Sequence, residues 1–492
     1  MVDDRLMYRR ELFVGGAWEA PATGRSVDVV SPSTEEVVGS VPAASPADVD
    51  RAVAAARAAF DSGPWPLMSP AERASALSRV ADGLRKREAE IAGITVDEMG
   101  CAISAAPQAQ TGFTATLFDY YASLAASYPF ERTVVDGARG GLVTSEPAGV
   151  VAVIVPWNAP VTLACWKTAP ALAAGCTVVI KPPPEAPLSN FVLADAIEEA
   201  GLPPGVVSVL PAGRDVGEHL VTHPGTDKVA FTGSTAAGKR IMSLCGEQVK
   251  RISLELGGKS AAVVLDDAPV ASVIPRLVHG AMHLSGQVCG AHTRVLVPRA
   301  LYESAVEAAA ATAAHVQVGD PHDPATVVGP LVAARQRDRV EGYITLAVAA
   351  GARVAAGGVR PDWLPRGWYV SPTILASVDN SMRVAREEIF GPVLCLIPYG
   401  SEDEAVAIAN DSPYGLSGGV WSGDPARALR VARRLRTGSI AINGAYPPFP
   451  LVPFGGFKES GLGRELGPEG LANFLEPRSI GLPAELVSGA RG

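Results

Sequence analysis

At 492 residues the chain is longer than one ordinary core can organise, so two or three domains are expected. Hydrophobic residues make up 48% and charged residues 19%, a balance that excludes disordered and fibrous classes. A net charge of −9 with no dense Lys/Arg cluster argues against a nucleic-acid surface.

The start, Met-Val-Asp-Asp-Arg, has no apolar core of the kind an export signal needs. The first forty residues alternate short apolar runs with turn residues (Gly15-Gly16, Pro21, Gly24, Pro32), which predicts a strand-rich opening. Ser45-Pro-Ala-Asp48 and Ser69-Pro-Ala-Glu72 are capping-box patterns with proline at the first helical position, and each opens a helix. The second helix is expected to run to about Gly100, because Leu77, Val80, Leu84, Ile91 and Ile94 recur at helical spacing. Asp136-Gly137, flanked by 130–135 and 141–145, is a hairpin signal. The uncharged stretch 147–166 is long enough to span a bilayer, but Pro147, Pro156, Asn158 and Pro160 make strand, turn and buried helix the better reading.

From Gly149 onward, β-branched runs at 150–155, 177–181, 206–210, 228–232 and 252–256 alternate with helical segments. That rhythm predicts parallel βαβ units in a doubly wound sheet. A further set at 261–265, 294–297, 393–397 and 439–442 predicts a second α/β domain. The six cysteines (101, 165, 176, 245, 289, 395) lack paired spacing, which suits a reducing, cytoplasmic compartment and offers neither a disulfide framework nor a zinc ribbon.

Four short stretches carry chemistry. Pro156-Trp-Asn158 ends a strand, where Asn158 suits an oxyanion donor or ordinary turn chemistry. Phe231-Thr-Gly-Ser-Thr-Ala-Ala-Gly238 joins a strand to a helix start, where backbone amides bind phosphate. Only its outer glycines match a dinucleotide fingerprint, so it also suits a plain tight turn. Leu254-Glu-Leu-Gly-Gly-Lys-Ser260 places Glu255 between leucines at a strand end. There it is either a general base with a raised pKa or a paired carboxylate. Leu-Ser-Gly-Gln-Val-Cys289-Gly-Ala-His-Thr-Arg294 sets Cys289 in a glycine-rich loop before a strand, suited to a reactive thiol or to a small buried residue. His279 and His283 lie four apart, but Gly280 stands where a zincin needs glutamate, so no metal site is expected. No Gly-x-Ser-x-Gly elbow supports a serine hydrolase.

Taken together, the sequence resembles the NAD(P)-dependent aldehyde dehydrogenase family over essentially its whole length. The matches run in order: Pro156-Trp-Asn158, Lys181-Pro, Phe231-Thr-Gly-Ser-Thr235, Leu254-Glu-Leu-Gly-Gly-Lys-Ser260, Gly286-Gln-Val-Cys289, Glu387-Glu-Ile-Phe-Gly-Pro392 and Pro453-Phe-Gly-Gly-Phe-Lys-Glu-Ser-Gly461. The resemblance implies a Rossmann-like NAD(P)-binding domain (1–128 and 148–256), an α/β catalytic domain (257–460) and a small β oligomerisation arm (129–147 and 472–492). The arm would make the protein a homodimer or homotetramer. Cys289 would be the nucleophile, Asn158 and the Cys289 amide the oxyanion donors, and Glu255 the base that activates hydrolytic water. Lys167 and Glu465 would form a proton relay behind Glu255, or a buried ion pair. Gly233 and Ser234 would face the pyrophosphate of NAD, Lys181 the adenosine ribose, and Glu388 and Phe390 the nicotinamide ribose. Ile154, Trp157, Gly213, Gly238 and Leu256 would line the same site.

One departure concerns cofactor choice. Many NAD-preferring members read Lys-Pro-Ser-Glu where this chain reads Lys181-Pro-Pro-Pro184-Glu185, so NAD is favoured with NADP use left open. Positions aligned with the aldehyde tunnel are Ala159, Leu163, Trp166, Val288, Pro448, Phe449, Leu451 and Phe454, all apolar, with no arginine to clamp an anion. They imply a neutral, hydrophobic aldehyde. A choline-like cation on Trp157, Trp166 and Phe449 ranks lower, because no acidic partner is visible. CoA-acylating dehydrogenation is the alternative reaction, disfavoured by Glu255. A non-catalytic member of the fold is the alternative class, disfavoured by Cys289, Glu255 and Asn158 together. A thiol esterase side activity is expected.

Overall fold

A computed structural model describes residues 4–137, 139–483 and 485–486. Residues 1–3, 138, 484 and 487–492 lie outside these, and with them the ends of the expected segments 1–128 and 472–492 and the opening Met-Val-Asp.

The strand Val150–Ile154 is buried at every position. Its residues alternate sides: Val151 and Val153 enter one core, while Val150, Ala152 and Ile154 enter another. This is why the run reads as continuously apolar, as expected of a parallel strand covered on both faces. Around it an eight-stranded sheet forms in the order Gly461–Leu462, Arg251–Glu255, Lys228–Thr232, Val150–Ile154, Thr177–Lys181, Val207–Val209, Leu12–Val14, Ala17–Glu19. Its five central strands are parallel. Chain order reverses between Val150–Ile154 and Lys228–Thr232, and in such sheets the crevice beyond the strands' carboxyl ends at that reversal is where ligands bind.

A seven-stranded sheet follows in the order Arg353–Ala356, Thr373–Ala376, Val393–Tyr399, His292–Pro298, Ser260–Val264, Ser417–Trp421, Ser439–Ile442. Ala261 and Val263 face one core, and Ala262 and Val264 the other. The expected strands appear within two residues of their predicted bounds, and the expected 136–137 hairpin joins Glu131–Asp136 to Arg139–Pro147. Leu475–Leu482 pairs along Arg139–Pro147 to complete a three-stranded sheet. The stretch 147–166 is strand, turn and helix as predicted, and no helix among the described residues is long and apolar enough to cross a membrane.

The helix expected from Ser69 to about Gly100 is two helices, Pro70–Lys86 and Glu88–Met99. Arg87 breaks it with φ −109° and ψ 9°. Its guanidinium donates to the Gly83 carbonyl at 2.9 Å and to Glu199, satisfying an acceptor that the interrupted helix leaves open. Both predicted capping boxes form. Asp48 is fully buried and accepts from the Ser45 and Ala22 amides (each 2.8 Å), the Ser45 hydroxyl (2.7 Å) and Arg51 (2.6 Å). Replacing it with alanine leaves four donors without their carboxylate. Asp48→Ala is expected to lower stability by about 2 kcal/mol or more, read as a lower urea midpoint at unchanged slope. An unmoved midpoint would show that these bonds contribute nothing net.

Candidate active site

The helix Val270–Met282 ends in a backbone reversal. Leu284, Ser285 and Gly286 all take positive φ (49°, 57° and 73°), a costly run for two side-chain-bearing residues. Neighbours hold it in place. The Ser285 hydroxyl donates to the Gly329 carbonyl at 2.9 Å, the Gln287 amide nitrogen to the Leu284 carbonyl at 3.1 Å, and the Val332 amide to Gln287 Oε1 at 3.1 Å. The reversal delivers Cys289 to the mouth of a cavity of about 240 Å³. Of the six cysteines, Cys289 alone is not buried. Its thiol pKa is pushed up to about 12, first by burial and then by the carboxylates of Glu388 and Glu255; the amides of Gly290 and Cys289 oppose this.

The cavity opens at the carboxyl ends of the first sheet's central strands, at the order reversal. Pro156, Trp157 and Asn158 follow one strand, Thr232, Gly233 and Ser234 the next, and Leu256 and Gly257 the third. Asn158 is nearly buried. Its side-chain amide donates to the Gln287 carbonyl at 2.9 Å, and its own carbonyl accepts from Gln110 at 3.1 Å. Asn158 is thereby tied directly to the cysteine loop. Ser234 caps the helix Thr235–Gly246, its hydroxyl accepting from the Ala237 amide at 3.3 Å. The Gly233 amide donates to the Glu255 carbonyl at 3.0 Å. Gly238 packs against Leu256, where an added Cβ would stand 2.5 Å from a methyl carbon. Ile154 lies beneath, in the same core as Leu256.

Glu388 and Phe390 close the far side. Glu388 Oε1 accepts from the Gly258 amide at 2.9 Å; burial raises its pKa to about 7, against Gly258, Arg339 and Lys259. Phe390 meets Trp157 edge-on, ring centres 5.3 Å apart. Two cavity residues escaped the sequence reading: Gln336, which donates to the Phe390 carbonyl at 2.7 Å, and Arg339, which donates to the Glu388 carbonyl at 2.6 Å. They lie one turn apart on Ala334–Ala349, in a charged run indistinguishable by pattern from a solvated helix face.

Several of the expected site residues lie outside this cavity. Glu255 does not line this cavity. Its carboxylate is buried without a hydrogen-bond partner and lies against Gly455, where an added Cβ would come within 2.8 Å of Oε1. Burial and Glu465 raise its pKa well above the usual range, with Lys167 and Arg464 opposing. Lys167 and Glu465 do form a buried pair next to it, and Lys167 also donates to the Thr232 hydroxyl. Lys181 also lies outside the cavity. Its amine donates to the Ala212 and Pro182 carbonyls (2.7 and 3.0 Å), and burial lowers its pKa to about 8. Gly213 starts the neighbouring helix Arg214–Thr222. Glu185 is paired with Arg335 rather than free.

The expected tunnel residues fall into two groups. Leu163 and Trp166 stand one turn apart on the helix Pro160–Ala174, which begins immediately after Ala159. Trp166 meets Phe454 edge-on at 5.3 Å, and Phe454 meets Phe449 at 5.6 Å. Val288 instead joins Trp157 in a small apolar cluster with Ile103 and Ala109. Leu451 is mostly exposed. His279 is exposed and His283 lies apart from any candidate metal cluster among the described residues.

The family model described as "Aldehyde dehydrogenase family" matches residues 18–480. A Castellaniella defragrans protein named geranial dehydrogenase is 48% identical over 477 residues, covering 96% of this chain and 98% of that protein. Among solved structures, a Mycobacterium tuberculosis aldehyde dehydrogenase complexed with NAD+ superposes with a TM-score of 0.95 at 44% identity, covering 97% of this chain and 99% of that one. A mutant of Pseudomonas syringae aldehyde dehydrogenase C complexed with NAD+ and octanal gives 0.93 at 43% identity, covering 98% of each.

The protonated thiol of Cys289 has a measurable signature. Under native conditions iodoacetamide is expected to label one cysteine per chain, with a rate that climbs steadily with pH across the neutral and alkaline range. Cys289→Ala should abolish the label; labelling at any other cysteine at a comparable rate would contradict the burial pattern.

Proposed function

The chain belongs to the aldehyde dehydrogenase family, and we propose that it oxidises a neutral, hydrophobic aldehyde to the carboxylic acid with NAD. The observation that carries the substrate class is the apolar group formed by Leu163 and Trp166, on the helix that starts beside Asn158, with Phe454 against Trp166 and Phe449 against Phe454, and no charged side chain among the four. The names of the relatives, geranial dehydrogenase and an octanal complex, support the same class.

The cavity suits the nicotinamide end of the cofactor. Gly233 and Ser234 open a helix N-terminus fit for phosphate, and Glu388 offers a carboxylate to ribose hydroxyls. When bound, nicotinamide supplies the hydride acceptor. Cys289, as thiolate, attacks the aldehyde carbon. The oxygen that becomes negative receives hydrogen bonds from Asn158 and the Cys289 amide. Departure of hydride from that carbon leaves a thioester on Cys289. Glu255 then takes a proton from water, the water oxygen adds to the carbonyl, and the sulfur leaves as the acid forms. For this the Glu255 carboxylate must turn from Gly455 toward the cysteine and shed its proton through Lys167 and Glu465. Pro184 provides no acceptor and Glu185 is engaged by Arg335, so no free carboxylate stands here to select against NADP.

The eight-, seven- and three-stranded sheets support a division into an NAD-binding part (1–128 and 148–256), a catalytic part (257–460) and an arm (129–147 and 472–492). In the arm, Glu131–Asp136 is exposed along its whole length and edges its sheet, which supports homo-oligomerisation as a dimer or tetramer. Six unpaired cysteines support a cytoplasmic setting.

A steady-state panel with NAD and NADP tests the reading: octanal and benzaldehyde should be oxidised far better than succinic semialdehyde, and the reverse order would overturn the substrate class. Asn158→Ala should lower kcat by about 10²–10³, and Glu255→Gln should release one burst of NADH per site before turnover slows. Glu388 is ionised only above about 7, so the KM for NAD should rise as pH falls through that value. Glu388→Gln should flatten the rise; a pH-independent KM in the wild type would remove Glu388 from the ribose.

A further inference from the structure

His292 is a buried ring that the chemistry above does not use. It opens the strand His292–Pro298, three residues beyond Cys289, and is 4% exposed. Trp421 meets it edge-on with ring centres 5.6 Å apart and planes at 83°. Its Nε2 lies 3.4 Å from the Ser417 hydroxyl. Beneath the two rings, Gly419 leaves room that no other residue would: an added Cβ would stand 2.5 Å from the Trp421 ring and 3.0 Å from His292 Cε1. The imidazole therefore has a fixed seat. Burial lowers its pKa to about 4, so it is an uncharged ring at neutral pH.

On its outer face lies Tyr446, 60% exposed, stacked at 5.9 Å with planes only 15° apart. Tyr446 belongs to the segment that leaves the strand Ser439–Ile442 through Asn443 and Gly444, both at positive φ, and continues to Phe449 and Phe454. Asn443 anchors its start through reciprocal bonds with Ser422 at 3.0 and 3.1 Å. Phe454 anchors its end through paired backbone bonds with Glu465 at 2.6 and 2.8 Å. Between these anchors, the aromatic contacts are Tyr446 on His292 and Phe449 on Phe454.

We propose that His292 is a positioning residue for the apolar part of the substrate, holding the 444–453 segment at a fixed height over the cysteine loop through its stack on Tyr446. The inference rests on the hydrophobic-aldehyde reading above and adds to it the element that sets the wall's distance from the nucleophile. Because His292 and Cys289 share one short loop-to-strand connection, the wall is registered against the reacting sulfur itself. A long aldehyde, which touches both sulfur and wall, depends on this register; acetaldehyde, which reaches only the sulfur, does not.

The experiment compares His292→Thr, His292→Phe and Tyr446→Ala on octanal and acetaldehyde. His292→Thr and Tyr446→Ala should each raise the KM for octanal about three- to tenfold, the scale of one aromatic pair. Their double variant should be no worse than either single one. His292→Phe, which keeps a ring, should behave like the wild type, and kcat on acetaldehyde and the KM for NAD should not move in any of them. Tyr446→Ala alters an exposed side chain and so tests the stack without disturbing a core. An unchanged octanal KM in Tyr446→Ala, an equal loss on both aldehydes, or a His292→Phe variant as impaired as His292→Thr would each overturn the proposal. Wild-type turnover of octanal gauges the substrate reading separately, so the two failures are distinguishable.

Discussion

The site depends on a crossing of only four residues. Arg251–Glu255 ends in the first sheet and Ser260–Val264 begins in the second, so Leu256-Gly-Gly-Lys259 must carry the chain between them. At that crossing the walls of the site press on bare backbone. A Cβ on Gly257 would lie 2.6 Å from the Glu388 carboxylate, and one on Gly258 would lie 2.5 Å from the Cys289 carbonyl. Two glycines thus let three chain segments, carrying a carboxylate, a thiol and a strand end, share one small volume. The crossing also sets polarity. The first sheet contributes the carboxyl ends of its strands, while the second contributes loops that precede strands, so the cavity is bounded by both sheets without belonging to either.

Charge at rest is the second theme. The thiol, Glu255 and Glu388 all sit where burial favours their neutral forms, and each carboxylate further raises the thiol's pKa. Lys167 and Glu465 form the adjoining pair that is already compensated. A site of this kind favours the protonated forms of its reactive groups, and their ionisation is coupled to whatever changes the local field. That couples reactivity to occupancy and spares an exposed nucleophile from wasteful encounters.

Much of this was legible in the sequence because the chemistry sits at strand ends. Pro156-Trp-Asn158, Phe231 to Gly238, Leu254 to Ser260 and the Cys289 loop each lie where a periodic apolar run stops, and those stops mark the crevice. What stayed hidden is physically distinct in each case. The break at Arg87 depends on a tertiary partner, Glu199, and helical periodicity continues straight through it. The strand Ser417–Trp421 contains two glycines, one of which, Gly419, leaves room for the rings of Trp421 and His292, and so lacks a strand-like composition. Gln336 and Arg339 join the cavity from a charged run at the start of a helix whose apolar face, Val340, Tyr343, Ile344 and Ala347, packs into the core. Glu255 was located by its strand end, but its direction is set by Gly455, a residue 200 positions away. Backbone position can be read from local pattern, whereas side-chain aim requires the long-range fold.

The order in which these parts leave the ribosome has its own consequence. The edge strand Gly461–Leu462 completes the first sheet, Glu465 supplies the counter-charge for Lys167, and Leu475–Leu482 covers Arg139–Pro147. A nascent chain therefore holds an unfinished first sheet and an unpaired buried lysine throughout synthesis of the entire second sheet. Contacts spanning such separations are slow to form and leave apolar surface open while they wait. Biogenesis is gated by residues 461–482, and until they emerge the early half of the molecule is chaperone clientele.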